Sequence, residues 1–179
     1  MDVYILRHGR AEDAGPGRTD AGRRLTPKGR SEIEGVATWM AAQGIAPDLI
    51  ATSPLTRAEE TAAIVAEGLG LQKRLKRWDL LAPGSSVDAI CHAIDGVADL
   101  DAVLLVGQEP QLSALIGRII AGTEDAGIAM TKGALAKIRN YSFHAHPSGE
   151  LHWLMTAKQM NPAGHRGKKP GPETHVFIR

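Results

Sequence analysis

Val3-Tyr4-Ile5-Leu6-Arg7-His8-Gly9 is a short apolar run rich in β-formers that stops at a cation, an imidazole and a glycine. A strand ending this way can carry a nucleophile and an anion clamp to one rim of a sheet. Farther along, Ala102-Val103-Leu104-Leu105-Val106 is aliphatic throughout, the pattern of a strand at the centre of a parallel sheet with both faces covered. These two strands set the expectation of an α/β architecture, and the segments around them agree with it.

After the first strand comes a polar loop rich in Gly, Asp and Arg, through Arg24. Thr26-Pro27 then supplies an N-cap and a proline at the first helical position. The helix that follows carries Ile33, Val36, Ala37 and Met40 on one face and ends near Gly44. Asp48 to Thr52 reads as a second strand, and Ser53-Pro54 repeats the cap-plus-proline signal for a helix carrying Ala58, Thr61, Ala62, Ile64 and Val65. A short strand is expected around Gln72 to Lys76, and Ser85 or Ser86 caps a helix with Val87, Ile90, Cys91 and Ile94 as its apolar stripe. Beyond the central strand a helix holds Leu112, Leu115, Ile116, Ile119 and Ile120. Ala134 to Phe143 and Glu150 to Met155 then form a hairpin turning at His146-Pro147-Ser148-Gly149. No internal repeat is present. The expected fold is one three-layer α/β domain over residues 1–159, its sheet mostly parallel and flanked by helices, with the antiparallel hairpin near the C-terminus. A tail rich in Pro, Gly, Lys and Arg follows over residues 160–179.

The chain's 179 residues, 43% of them hydrophobic, suffice for one well-buried domain. With 21 basic and 20 acidic residues the net charge is +1, so no overall field favours nucleic acid or an anionic membrane, and any anion site must be built locally. Cys91 is the only cysteine, which excludes an internal disulfide or a cysteine-based zinc cluster, and its apolar helical setting reads as a small buried residue. No apolar run approaches the roughly 18 residues of a membrane span, and the first residues lack the charged start and cleavage site of a signal peptide. A cytoplasmic enzyme or binding domain is expected, with neither nucleic acid nor membrane as partner. The tail run Arg166-Gly167-Lys168-Lys169 has no interleaved aromatic and reads as a solvated segment.

In open α/β sheets, ligands bind beyond the carboxyl ends of the strands. The first strand ends at Arg7-His8, Arg57 lies in the first helical turn after the second, and Gly107-Gln108-Glu109-Pro110 follows the central one. Two arginines, a histidine and an amide thereby converge on one rim. Arginine's planar fork matches phosphate oxygens, and free N–H groups at a helix start add to anion binding.

Leu6-Arg7-His8-Gly9, Ser53-Pro54-Leu55-Thr56-Arg57-Ala58-Glu59-Glu60-Thr61-Ala62 and Val106-Gly107-Gln108-Glu109-Pro110 resemble the histidine phosphatase (phosphoglycerate mutase-like) superfamily. The short length and Leu80-Leu81-Ala82-Pro83-Gly84 resemble its small SixA-type phosphohistidine phosphatase branch, over about the first 155 residues. The resemblance implies that His8 is a nucleophile that becomes phosphorylated and is then hydrolysed, while Arg7 and Arg57 hold the phosphoryl oxygens. Neighbouring cations keep an imidazole neutral and nucleophilic. Two guanidiniums can supply the charge stabilisation that phosphoryl transfer needs, so neither metal nor cofactor is expected. The implied partner is a phosphohistidine-bearing protein or a small phosphorylated substrate.

One position departs from the pattern. The family carries a second histidine after the central strand, in contact with the phosphoryl group, and this chain has Gln108. Glutamine retains an N–H donor at similar reach but no charge, and charge-assisted hydrogen bonds are about twice as strong as neutral ones. Losing one transition-state donor costs on the order of 100- to 1,000-fold in rate. Nothing in the sequence marks another histidine as its replacement: His92 sits on a helix, His144, His146 and His152 on or near the hairpin, and His165 and His175 in the tail. Asp79, in Arg77-Trp78-Asp79-Leu80, is the carboxylate nearest the position where mutase-type members place a glutamate acid/base. Glu59 and Glu60 read as surface helix charges. Three functions remain open on these residues: a metal-independent phosphatase, a phosphate- or phosphohistidine-binding module with weak or no turnover, and a small-molecule phosphomonoesterase or mutase. Short loops leave little room for the cap with which a mutase retains its intermediate.

Overall fold

The computed structural model describes residues 1–13, 15 and 19–161, so the tail residues 162–179, with His165, His175 and the 166–169 basic run, lie outside the described residues. Six strands and five helices follow one another as β1 (Asp2–Arg7), α1 (Pro27–Ala42), β2 (Leu49–Thr52), α2 (Thr56–Leu69), β3 (Leu75–Arg77), α3 (Val87–Asp95), β4 (Ala102–Gly107), α4 (Gln111–Ala121), β5 (Leu135–Phe143), β6 (Pro147–Met155) and α5 (Ala157–Met160). The strands form one sheet in the order β3-β2-β4-β1-β5-β6. β3, β2, β4 and β1 are parallel, and β5 and β6 complete the sheet antiparallel to their neighbours. The α/β class, the mostly parallel sheet and the late hairpin agree with the sequence-based expectation.

The alternation of side chains along the strands builds two cores. Val3, Ile5, Ala51, Val103 and Leu105 face α3 and α4 with Ile90, Ile94, Leu112, Leu115 and Ile116. Tyr4, Leu6, Ile50, Leu104 and Val106 face α1 and α2 with Ile33, Val36, Met40, Ala62 and Val65. Because both faces are covered, β1 and β4 must be apolar at successive positions, which is why each reads as an unbroken apolar run. Met160, at the expected start of the tail, is buried in the second core.

The helix starts follow from local chemistry. Thr26 caps α1 by accepting from the Gly29 amide, with Pro27 at the first helical position. Ser86 caps α3 by accepting from the Ala89 amide. α2 differs from expectation: Ser53, just past β2, is tied to β4 by its N–H donating to the Val106 carbonyl, and its Oγ accepts from the Leu55 amide. The helix therefore begins at Thr56, capped by Leu55 without a side-chain bond. The hairpin turn also lies earlier than expected, at residues 144–146, because Pro147 already pairs with Phe143 as the first residue of β6.

β4 lies between β1 and β2, so the carboxyl ends of these three strands are adjacent. That rim receives Arg7-His8, Gly107-Gln108 and the start of α2. No helix among the described residues is long and apolar enough to cross a membrane.

Candidate active site

His8 is held by its backbone before its side chain is considered. Its N–H donates to the Gly107 carbonyl at 2.9 Å, which locks the end of β1 to the end of β4. The Gly133 amide donates to the carbonyls of both Arg7 and His8 at 3.1 Å. Gly9 then passes so close to α1 that a Cβ there would lie 2.8 Å from Ile33 Cγ1. The Gly9 amide donates to Thr61 Oγ1, whose hydroxyl donates to the Arg57 carbonyl. The segment carrying His8 and the start of α2 are thus tied by a two-bond bridge.

The His8 ring is buried, at 5% exposure. Nδ1 lies 2.7 Å from the Gly9 carbonyl, and a carbonyl can only accept, so Nδ1 carries the proton. Nε2 is then the lone-pair nitrogen, and it accepts from Arg57 Nε at 3.2 Å. Burial pushes the imidazole pKa down to about 4; the Gly9 carbonyl opposes this, and the charges of Arg57, Arg7 and Lys132 add to the fall. Cations were the expected cause. Burial is the larger one.

Arg7 donates from one terminal nitrogen to the Met130 carbonyl at 2.5 Å, and its buried Nε has no hydrogen-bond partner. Arg57 is buried at 6% exposure as the second residue of α2. Its terminal nitrogens donate to the main-chain carbonyl of Asp20 at 2.7 Å and to Asp20 Oδ2 at 3.0 Å.

Gln108 directly follows Gly107 and is buried. Its Nε2 donates to the Leu81 carbonyl at 2.8 Å and to Gln111 Oε1 at 3.1 Å, while its Oε1 is buried without a partner. Gln111 in turn donates to the carbonyls of Ala82 and Ser85, both at 3.1 Å. The carbonyl partners fix the orientation of both amides, and the pair clamps the 81–85 turn to the start of α4.

Asp79 is 81% exposed and pairs with Arg77 at 2.9 Å. Glu60 is no simple surface charge, since it accepts from the Leu25 amide at 2.7 Å and pairs with Arg24 and Arg30. His92 packs on Phe143, with ring centroids 4.6 Å apart. Cys91 is buried, and burial pushes its thiol up to about 11, so it is an inert core residue.

Asp20, Thr61, Gln111 and Lys132 were missed by the sequence-based reading. Thr61 was read only as part of an apolar face. Asp20 lies in a loop without periodicity, where nothing local distinguishes it from its neighbours.

The histidine phosphatase superfamily (branch 1) matches residues 3–82, the span from β1 to the turn beyond β3 that contains His8 and Arg57. An uncharacterized protein of Picosynechococcus sp. is 32% identical over 167 residues, 90% of this chain and 100% of that protein. Phosphohistidine phosphatase SixA of Escherichia coli is 25% identical over 158 residues, 87% of this chain and 94% of SixA. In three dimensions, protein histidine phosphatase SixA complexed with tungstate gives a TM-score of 0.79 at 24% identity, covering 89% of this chain and 99% of that one. A putative SixA from Agrobacterium tumefaciens gives 0.71 at 24% identity, over 87% and 97%. With a relative 32% identical and matched along its whole length, and the family's own pattern matching residues 3–82, this chain belongs to the histidine phosphatase superfamily and is similar in sequence and fold to SixA proteins.

Proposed function

We propose that this chain is a metal-independent phosphohistidine-protein phosphatase acting through a phosphohistidine on His8. One observation carries the reading: a neutral buried imidazole has its Nδ1 proton fixed on the Gly9 carbonyl and its Nε2 lone pair beside Arg57. Nε2 attacks phosphorus; an N–P bond forms while the bond from phosphorus to the leaving atom breaks, its electron pair going to that atom. Water then attacks phosphorus, the N–P bond breaks with its pair returning to Nε2, and a water proton leaves with phosphate or solvent. Arg7 and Arg57 balance the charge on the phosphoryl oxygens. An imidazole leaving group departs more easily than an alkoxide and needs less acid assistance, in keeping with Asp79 standing exposed on Arg77. An acid/base role for Asp79 requires it to leave Arg77 and turn over the pocket. The name of the relative SixA supports the substrate class.

Gln108 motivates a second reading, a phosphate- or phosphohistidine-binding module with weak turnover. Both hydrogens of its amide are used within the protein, on Leu81 and Gln111, so it offers the phosphoryl group no free donor in this conformation. A single experiment separates the two. Rapid-quench labelling with a phosphohistidine donor should place acid-labile phosphate on the native protein and none on His8→Ala, with multiple turnovers in the native protein. Label without turnover, restored by Gln108→His, would establish the binding module. Absence of label on the native protein would sink the His8 mechanism. A mutase would instead move phosphate between positions of a small substrate.

A further inference from the structure

The three nitrogens of the Arg57 guanidinium are all engaged. Nε donates to His8 Nε2, one terminal nitrogen donates to the Asp20 carbonyl, and the other meets Asp20 Oδ2 at 3.0 Å. A carboxylate and a main-chain oxygen thus present to this arginine the paired acceptors that a phosphoryl group would present. The carboxylate's other oxygen, Oδ1, accepts from Arg23 at 2.8 Å, and Arg23 is itself anchored through Nε to the Glu12 carbonyl. Asp20 sits in a short 3-10 turn, Asp20–Gly22, with its side chain 58% exposed against 7% for Arg57. Arg23 and then Arg57 hold its carboxyl below the usual carboxylate range, so it is charged at neutral pH.

The geometry points to Asp20 as a resident anion of the phosphate pocket, a positioning residue that phosphoryl oxygens displace from the Arg57 fork and that returns when phosphate leaves. The inference rests on reading Arg57 as a phosphoryl ligand. Two negative groups cannot share one guanidinium without repulsion, so substrate binding and the Asp20–Arg57 pair are competing states of the same cation. Arg23 makes the exchange cheap, because it already holds the second oxygen of the carboxylate and keeps it neutralised after Arg57 lets go. The same displacement matters for chemistry, since the Nε2 lone pair that attacks phosphorus is the one Arg57 Nε now occupies. A guanidinium drawn toward phosphoryl oxygens gives up Nε2. One consequence is a pocket that binds inorganic phosphate weakly and so resists inhibition by its own product.

A tie that merely orients Arg57 predicts the opposite sign, and this makes the test decisive. Inorganic phosphate is titrated calorimetrically into the native protein, Asp20→Asn, Asp20→Glu and Arg57→Ala at pH 7.5. Asn keeps the size of the side chain and removes the charge, and at so exposed a position the fold is preserved. The expected result is phosphate binding about tenfold tighter in Asp20→Asn, a near-native value in Asp20→Glu, and none in Arg57→Ala. Under turnover, Asp20→Asn should also show a lower KM and a lower inhibition constant for phosphate without a higher kcat. Binding by the native protein that is unchanged or weaker in Asp20→Asn overturns this proposal alone. No binding by the native protein or by Asp20→Asn overturns the phosphate-pocket reading and this proposal with it.

Discussion

His8 is neutral because β1 delivers it into a buried corner between the β4 end and α1, where burial disfavours an imidazolium. The shift from the ordinary 6.5 to about 4 has a thermodynamic consequence with a definite sign. Between these values the unfolded chain binds a proton that the folded chain refuses, so stability is complete above pH 6.5 and is lost as pH falls toward 4. From pH 7.5 to 5 the loss attributable to this one group is on the order of 2 kcal/mol. Urea unfolding of the native protein and of His8→Gln at both pH values measures it: the native protein should lose about 2 kcal/mol more than the variant. Equal losses would show that His8 titrates normally in the folded state. Arg7 and His8 were legible in the sequence because they stand where a strand stops, and Arg57 because it lies in the first turn of the helix that follows one; a strand end is visible as a break in an apolar run. Asp20 was not legible, because a carboxylate in an aperiodic loop gains its meaning only from the arginine it meets 37 residues away in sequence.

At the scale of elements, the starts of α1 and α3 were readable from Thr26-Pro27 and Ser86, since a capping side chain acts within three residues. The start of α2 was not, because Ser53 is claimed by its sheet partner Val106, a contact distant in sequence. The junction between the 79–85 segment and α4 was likewise hidden. Gln111 looks like an ordinary first helical residue, yet its amide N–H groups serve the Ala82 and Ser85 carbonyls and its Oε1 accepts from Gln108. Gln111→Glu preserves shape but offers oxygens where the carbonyls need donors, and it adds a buried charge. It should lower stability by about 2–3 kcal/mol, measured by chemical denaturation. A variant as stable as the native protein would mean that the clamp does not hold the turn.

The whole molecule is a sheet sealed on both sides, and the rim chemistry depends on that seal. Leu104 and Leu105 are consecutive, both fully buried, and belong to opposite cores, one against α1 and α2 and the other against α3 and α4. If one face of the sheet were open to water, truncating the residue on that face would cost little, while its neighbour would cost the full price of a core cavity. With both faces covered, Leu104→Ala and Leu105→Ala should each destabilise by about 2–5 kcal/mol. The check is chemical denaturation of the two single variants side by side. A loss below about 1 kcal/mol in either one would contradict a three-layer core. The rim should be more forgiving than the core at temperatures well below unfolding. His8 is positioned by main-chain bonds to Gly107 and Gly133, and a cavity deeper along β4 leaves both in place. Labelling of His8 should therefore survive in both variants at low temperature, and it should disappear together with the cooperative unfolding transition on heating. Loss of labelling in a still-folded Leu104→Ala or Leu105→Ala would show instead that side-chain packing along β4, and not the backbone lock between strand ends, sets the geometry of His8.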